Sequence, residues 1–151
     1  MTPNTKHQAI SLRIAAALLL HAETRNLGRV LQAPCDVILS RDCIVQPDIV
    51  FFSKGRSGLI GEKNLRGAPD LIVEIVSAQT REDDLRAKRG LYSRFEVKEY
   101  WTADPDSKTV EVLVWSELGY ATAGVYDNSD RLSSPALPEL RLPLRSVFKP
   151  C

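Results

Sequence analysis

The sequence predicts an α/β fold, a mixed β-sheet flanked by two main helices. Three observations predict it. Residues 5 to 26 carry apolar side chains at helical spacing. Residues 70 to 77, DLIVEIVS, form a nearly continuous apolar run, as in a central strand covered on both faces. From residue 99 onward, the segments EYWTA and TVEVLVW flank the turn Asp104-Pro105-Asp106-Ser107, which reads as a hairpin.

The elements follow in order. Thr5 is suited to cap the first helix, with Ile10, Ile14, Leu18 and His21 along one face and Gly28 placed as its C-terminal glycine. His7 reads as an exposed first-turn residue and not a ligand. Strand-like segments come next at Arg29 to Gln32, Asp36 to Leu39 and Asp48 to Ser53, separated by Pro34 and by Ser40-Arg41-Asp42. Residues 54 to 67 are rich in glycine and positive charge and predict a mobile loop. Thr80 opens a second helix with Asp83 as its capping-box partner and acidic residues in the first turn. Leu85, Leu91, Tyr92 and Phe95 supply its apolar side, with Tyr92, Tyr100 and Trp101 expected in the core. Gly119 to Val125 reads as a further strand. The tail, with Pro135, Pro138 and Pro143, is expected to wrap the surface and end in a short helix.

The chain has 151 residues, the size of one domain, with no repeat and no linker to divide it. No apolar run approaches the roughly 20 residues of a membrane span. The opening MTPNTKHQ has no apolar signal region, which predicts a cytoplasmic and not a secreted protein. Cys35, Cys43 and Cys151 are an odd number without CxxC spacing, so free thiols are expected and neither a disulfide frame nor a zinc site. The formal net charge of +1 supplies no overall basic field, so nucleic-acid binding would need a local patch.

Three ionisable residues contradict their surroundings. Asp48 opens a strong strand in QPDIVFF. Glu74 lies inside LIVEIVS, where a charge is costly without a compensating partner. Lys88 is three residues after Leu85 and four before Tyr92, so it shares the helix's apolar face. A helix directly after a strand packs that face on the sheet, which could bring Lys88 over Glu74. Two carboxylates from neighbouring strands suit a hard divalent ion, Mg²⁺ with Mn²⁺ as a substitute, and an ammonium beside them can orient water or neutralise charge. The set is suited to phosphodiester hydrolysis. Other readings stay open. Asp48 after Pro47 could cap a turn, Arg81 or Lys88 could be a structural partner of Glu74, and Lys88 could snorkel to solvent. Gln46 and Asp70 are candidate supporting residues, with strand-edge polarity and loop termination as their alternatives.

The ordered blocks QPDIVF, GAPDLIVEIVS, AKRGLY and EYW-x-x-DP resemble the bacterial Uma-two family, of the PD-(D/E)xK restriction-endonuclease-like superfamily. The resemblance runs from about His7 to Phe148. It implies a restriction-endonuclease-like core and a metal-dependent endonuclease acting on DNA. It also implies Asp48 and Glu74 as acidic metal ligands, with the Ile75 backbone carbonyl beside them. The superfamily's lysine position holds Val76, so the resemblance makes Lys88 on the following helix the candidate cation. Relatives carry an acidic segment before the first helix, and this chain is expected to begin after it. The alternative is a catalytically degenerate nuclease-fold module that binds nucleic acid or protein. By analogy with enzymes that cut both strands, a homodimer is expected.

Overall fold

The computed structural model describes residues 4–77 and 82–150. In chain order the elements are α1 (Thr5–Thr24), β1 (Gly28–Gln32), β2 (Val37–Ser40), β3 (Cys43–Val45), β4 (Ile49–Ser53), a 3-10 helix (Lys54–Leu59), β5 (Leu65–Arg66) and β6 (Leu71–Ile75). They continue with α2 (Glu82–Arg94), β7 (Glu99–Asp104), β8 (Thr109–Ser116), β9 (Gly119–Tyr126), β10 (Arg131–Ser134), β11 (Leu137–Pro143) and α3 (Leu144–Phe148). The main sheet has the order β1-β4-β6-β7-β8-β9. Its pairs are antiparallel except β6 with β7, and α2 lies in the connection that a parallel pair requires. The fold is the mixed, helix-flanked α/β sheet that the sequence predicts.

Alternation along the central strands divides the core between the two faces of the sheet. Ile49, Phe51, Leu71, Val73, Ile75, Trp101 and Ala103 face α1, α3 and the β10-β11 hairpin. Val50, Phe52, Ile72 and Tyr100 face Tyr92 of α2, with Val37 and Leu65 of the small β3-β2-β5 sheet. All five residues of β6 are buried, as its apolar run requires. By the same alternation Glu74 falls on the α2 face.

Several local expectations are corrected. Asn4, not Thr5, caps α1, its side chain accepting the His7 N–H at 2.8 Å. Leaving the helix is the work of Asn26, at φ 54°, and Gly28 instead begins β1. A Cβ there would stand 2.1 Å from the Phe52 carbonyl oxygen, so glycine is needed for close approach to β4. The 54 to 67 segment is more than a loop. Its 3-10 helix is tied down by Arg56, which donates to the Ala68 carbonyl at 2.8 Å, and Leu65 is buried. Thr80, the expected cap of α2, lies outside the described residues. Tyr92 is the one buried side chain among the described residues of α2, while Leu85, Leu91 and Phe95 are half-buried.

The largest difference is the tail. It does not wrap the surface. Leu132, Leu137, Leu140, Leu142, Leu144, Val147 and Phe148 are all buried in the α1-side core. A buried carboxylate pins this hairpin. Glu99, 1% exposed, accepts from Trp101 Nε1 at 2.6 Å, from the Ala136 N–H at 2.9 Å and from the Ser134 hydroxyl. Glu99→Ala leaves two buried donors and one part-buried donor without their acceptor. It is expected to lower stability by about 3 kcal/mol or more in urea unfolding; a loss under about 1 kcal/mol would show that the latch is dispensable.

Candidate active site

The antiparallel register pairs Ile49 with Val73, so one step outward Asp48 stands opposite Glu74. The two residues interlock. The Asp48 N–H donates to Glu74 Oε1 at 3.1 Å, and Asp48 Oδ2 accepts the Ile75 N–H at 2.7 Å. Each acid therefore has one oxygen satisfied by the other strand's backbone. This places both carboxylates at the end of the sheet where β6 finishes and β4 begins.

Helix α2 completes the surroundings of Glu74. Lys88 Nζ lies 2.7 Å from Glu74 Oε2, and the Tyr92 hydroxyl donates to the same oxygen at 3.0 Å. Lys88 and Tyr92 are one helical turn apart, which lets both reach one acceptor. The Glu74 side chain is 6% exposed and that of Lys88 is 45% exposed, so the ammonium bridges the buried acid and solvent. Burial, followed by the charge of Glu74, pushes the Tyr92 phenol far above its ordinary value, and it remains a donor throughout the physiological range. Tyr100 meets Tyr92 edge-on at 5.1 Å and is raised by the same two causes in the same order.

The other sequence candidates fall elsewhere. Gln46 donates to Asp36 at 2.7 Å, bracing the approach to Asp48 at an exposed position. Asp70 lies at the opposite end of β6, where it accepts the Ser53 N–H at 2.6 Å and pairs with Arg56 at 3.5 Å. That carboxylate anchors the 3-10 segment and is not gathered with Asp48 and Glu74. Arg81 lies outside the described residues. Val76 donates its N–H to the Ala103 carbonyl at 2.8 Å and brings no charge to the cluster.

One residue that the sequence reading set aside is present. His7 is not an exposed first-turn residue. Its side chain is 12% exposed, and Nε2 lies 3.6 Å from Asp48 Oδ2. His7 and Asp48 line a cleft of about 460 Å³ together with Gln8, Ser11, Gln32 and Pro34. Local spacing carries no trace of this, because the contact joins α1 to the start of β4 through tertiary packing alone.

The donor chemistry fits a hard divalent cation. Two carboxylates and the Ile75 main chain are oxygen ligands of the kind such an ion takes while retaining water. Among the described residues no three His, Cys, Asp or Glu side chains form a ready cage, so water and substrate oxygens would have to complete the shell. No helix among the described residues is long and apolar enough to cross a membrane.

The same architecture occurs in a solved structure from Anabaena variabilis described as a "putative nuclease belonging to DUF820". The two agree with a TM-score of 0.80 at 21% identity, over 98% of this chain and 83% of that one, which establishes the fold. No curated protein matches the chain. A family model described as "Putative restriction endonuclease" matches residues 1–145, and the chain therefore belongs to the Uma2 family.

Proposed function

We propose that the protein is a Mg²⁺-dependent endonuclease that hydrolyses phosphodiester bonds in DNA, with Mn²⁺ able to substitute. The observation that carries this reading is the convergence of Asp48, Glu74 and Lys88 at one end of the sheet. It is supported by membership of the family described as "Putative restriction endonuclease". In this reading the site belongs to the PD-(D/E)xK type, with its lysine moved from the strand to α2.

Asp48, Glu74 and the Ile75 carbonyl would hold the cation. That carbonyl lies on the same lateral side of the strand as the Ile75 N–H, which already faces Asp48. The bound ion would acidify a water and stabilise charge on the phosphate. Lys88 would orient the attacking water and neutralise negative charge as it develops. Tyr92, kept protonated, holds the outer oxygen of Glu74 so that the acid keeps one orientation. Asp48 is fixed by the Ile75 N–H in the same way. Cutting both strands with one such site per chain calls for two symmetry-related copies, so a homodimer is part of the reading.

A nearly neutral chain must concentrate its positive charge to hold a polyanion. Lys6, Arg13, Lys108 and Lys149 line a groove of about 410 Å³ on the other flank of α1 from the His7 cleft. Lys6 pairs with Asp106 at 3.8 Å, and Arg13 is committed to the Val147 and Lys149 carbonyls. This groove has the positive charge to hold a phosphate backbone. Lys63 and Arg66 line a separate groove with Glu62.

One observation favours a second reading. The contact between Lys88 and Glu74 already compensates the buried acid, so the cluster could be a structural ion pair in a module that binds without cutting. Plasmid nicking and metal-dependent melting separate the two. In the nuclease reading, saturating Mn²⁺ stabilises the protein, by about 2.7 kcal/mol at a hundredfold excess over Kd. Glu74→Gln loses both this gain and nicking. Lys88→Ala keeps most of the gain but cuts about 10²-fold to 10³-fold more slowly. Full nicking by Lys88→Ala would refute its catalytic assignment, and the absence of both metal stabilisation and nicking in the unmutated protein would establish the ion-pair reading.

The DNA surface is tested by fluorescence anisotropy over a salt series. Lys6→Ala combined with Lys149→Ala is expected to reduce the slope of log K against log salt by about 2, from roughly 0.9 per lost phosphate contact. An unchanged slope here, with a reduced one in Lys63→Ala combined with Arg66→Ala, would move the backbone path to the 54 to 67 segment.

A further inference from the structure

We infer that His7 is a nitrogen ligand of the cation held by Asp48, so that the site favours imidazole-accepting ions such as Mn²⁺ and Co²⁺ over Mg²⁺. This rests on the metal-site reading above and adds to it a residue and a preference. The geometry supplies the argument. The His7 ring is nearly enclosed, and Nε2 lies 3.6 Å from Asp48 Oδ2. That is beyond ordinary hydrogen-bond length. It is close to the separation of two ligands on one ion, since bonds of about 2.1 Å place neighbouring ligands roughly 3 to 3.5 Å apart. The imidazole and the carboxylate thus face one another at ion-pair and not hydrogen-bond distance, in a cleft wide enough to admit water and a substrate oxygen.

The ring's other nitrogen makes no competing contact. Nδ1 is buried and has no hydrogen-bond partner among the described residues. A buried polar atom left unpaired calls for an explanation. Packing alone would be served as well by an apolar side chain at this position, without that penalty. The polar role of the ring is therefore at Nε2, the edge turned to Asp48. The backbone holds it there, because the Asn4 cap accepts the His7 N–H at 2.8 Å and fixes the first turn of α1. Asp48 lines the cleft with His7, and its N–H donates to Glu74, which does not line that cleft.

Ligand chemistry gives the consequence. Oxygen-only sites suit Mg²⁺, whereas one imidazole raises affinity along the series from Mn²⁺ to Co²⁺ and Ni²⁺. The test uses the full chain and the metal ions alone. Calorimetric titration should show Co²⁺ bound at least about tenfold more tightly than Mg²⁺, with the preference greatly reduced in His7→Ala and in His7→Phe, which keeps a ring of similar bulk. Pulsed electron paramagnetic resonance of bound Mn²⁺ should show a coupling to imidazole nitrogen in the unmutated protein and lose it in both variants. Circular dichroism checks that each variant folds. Metal binding that depends on Glu74 but shows no nitrogen coupling, with an unchanged ion ratio in both variants, would overturn the His7 assignment and leave the metal-site reading standing. No binding of any of these ions, or binding unaffected by Glu74→Gln, would overturn both.

Discussion

A buried carboxylate near the end of a central strand is the constraint around which this site is built. Glu74 occupies a strand whose five residues are all buried, on the face that packs against α2. Its charge is tolerable there only because three donors reach it from two elements. The Asp48 N–H arrives from the neighbouring strand, and the Tyr92 hydroxyl and the Lys88 ammonium arrive from the helix that crosses back over the sheet. The parallel pairing of β6 with β7 requires such a crossover. The connection that builds the sheet is thus also the one that delivers the cation.

The two buried glutamates occupy different environments. Glu99 is surrounded by neutral donors, from Trp101, Ser134 and Ala136, and it fastens the β10-β11 hairpin to the sheet. Glu74 lies at the sheet's end beside an ammonium that reaches solvent and a second carboxylate that lines an open cleft. Both are acids in apolar segments. Of the two, only Glu74 has charged neighbours, Lys88 and Asp48.

Much of this was legible in the sequence where the signal is local. The period of α1, the unbroken run of β6 and the β7-β8 turn each follow from residues adjacent in the chain. The inward turn of Lys88 follows from its spacing to Leu85 and Tyr92, and the structure has it facing Glu74. Boundaries were less legible. Gly28 stands where the sequence predicts a helix stop, but Asn26 turns the chain, and the need for glycine at Gly28 comes from the Phe52 carbonyl, on a strand distant in sequence. The prolines of the tail suggested a surface strap. Its leucines are instead core residues, since α1 and the sheet leave an apolar gap that only the folded chain presents.

By itself, then, the sequence determined the fold class, the acids at positions 48 and 74 and the helix face that carries Lys88, because each is encoded in short-range periodicity or in a charge placed against its local pattern. Tertiary structure alone decided which groups meet. It paired Asp48 with Glu74 through strand register and committed Asp70 to Arg56 at the far end of β6. It also brought His7 of α1 to within 3.6 Å of Asp48. The physical reason is that register, crossover direction and helix docking are set by burial summed over the whole core, and no window of adjacent residues contains that sum.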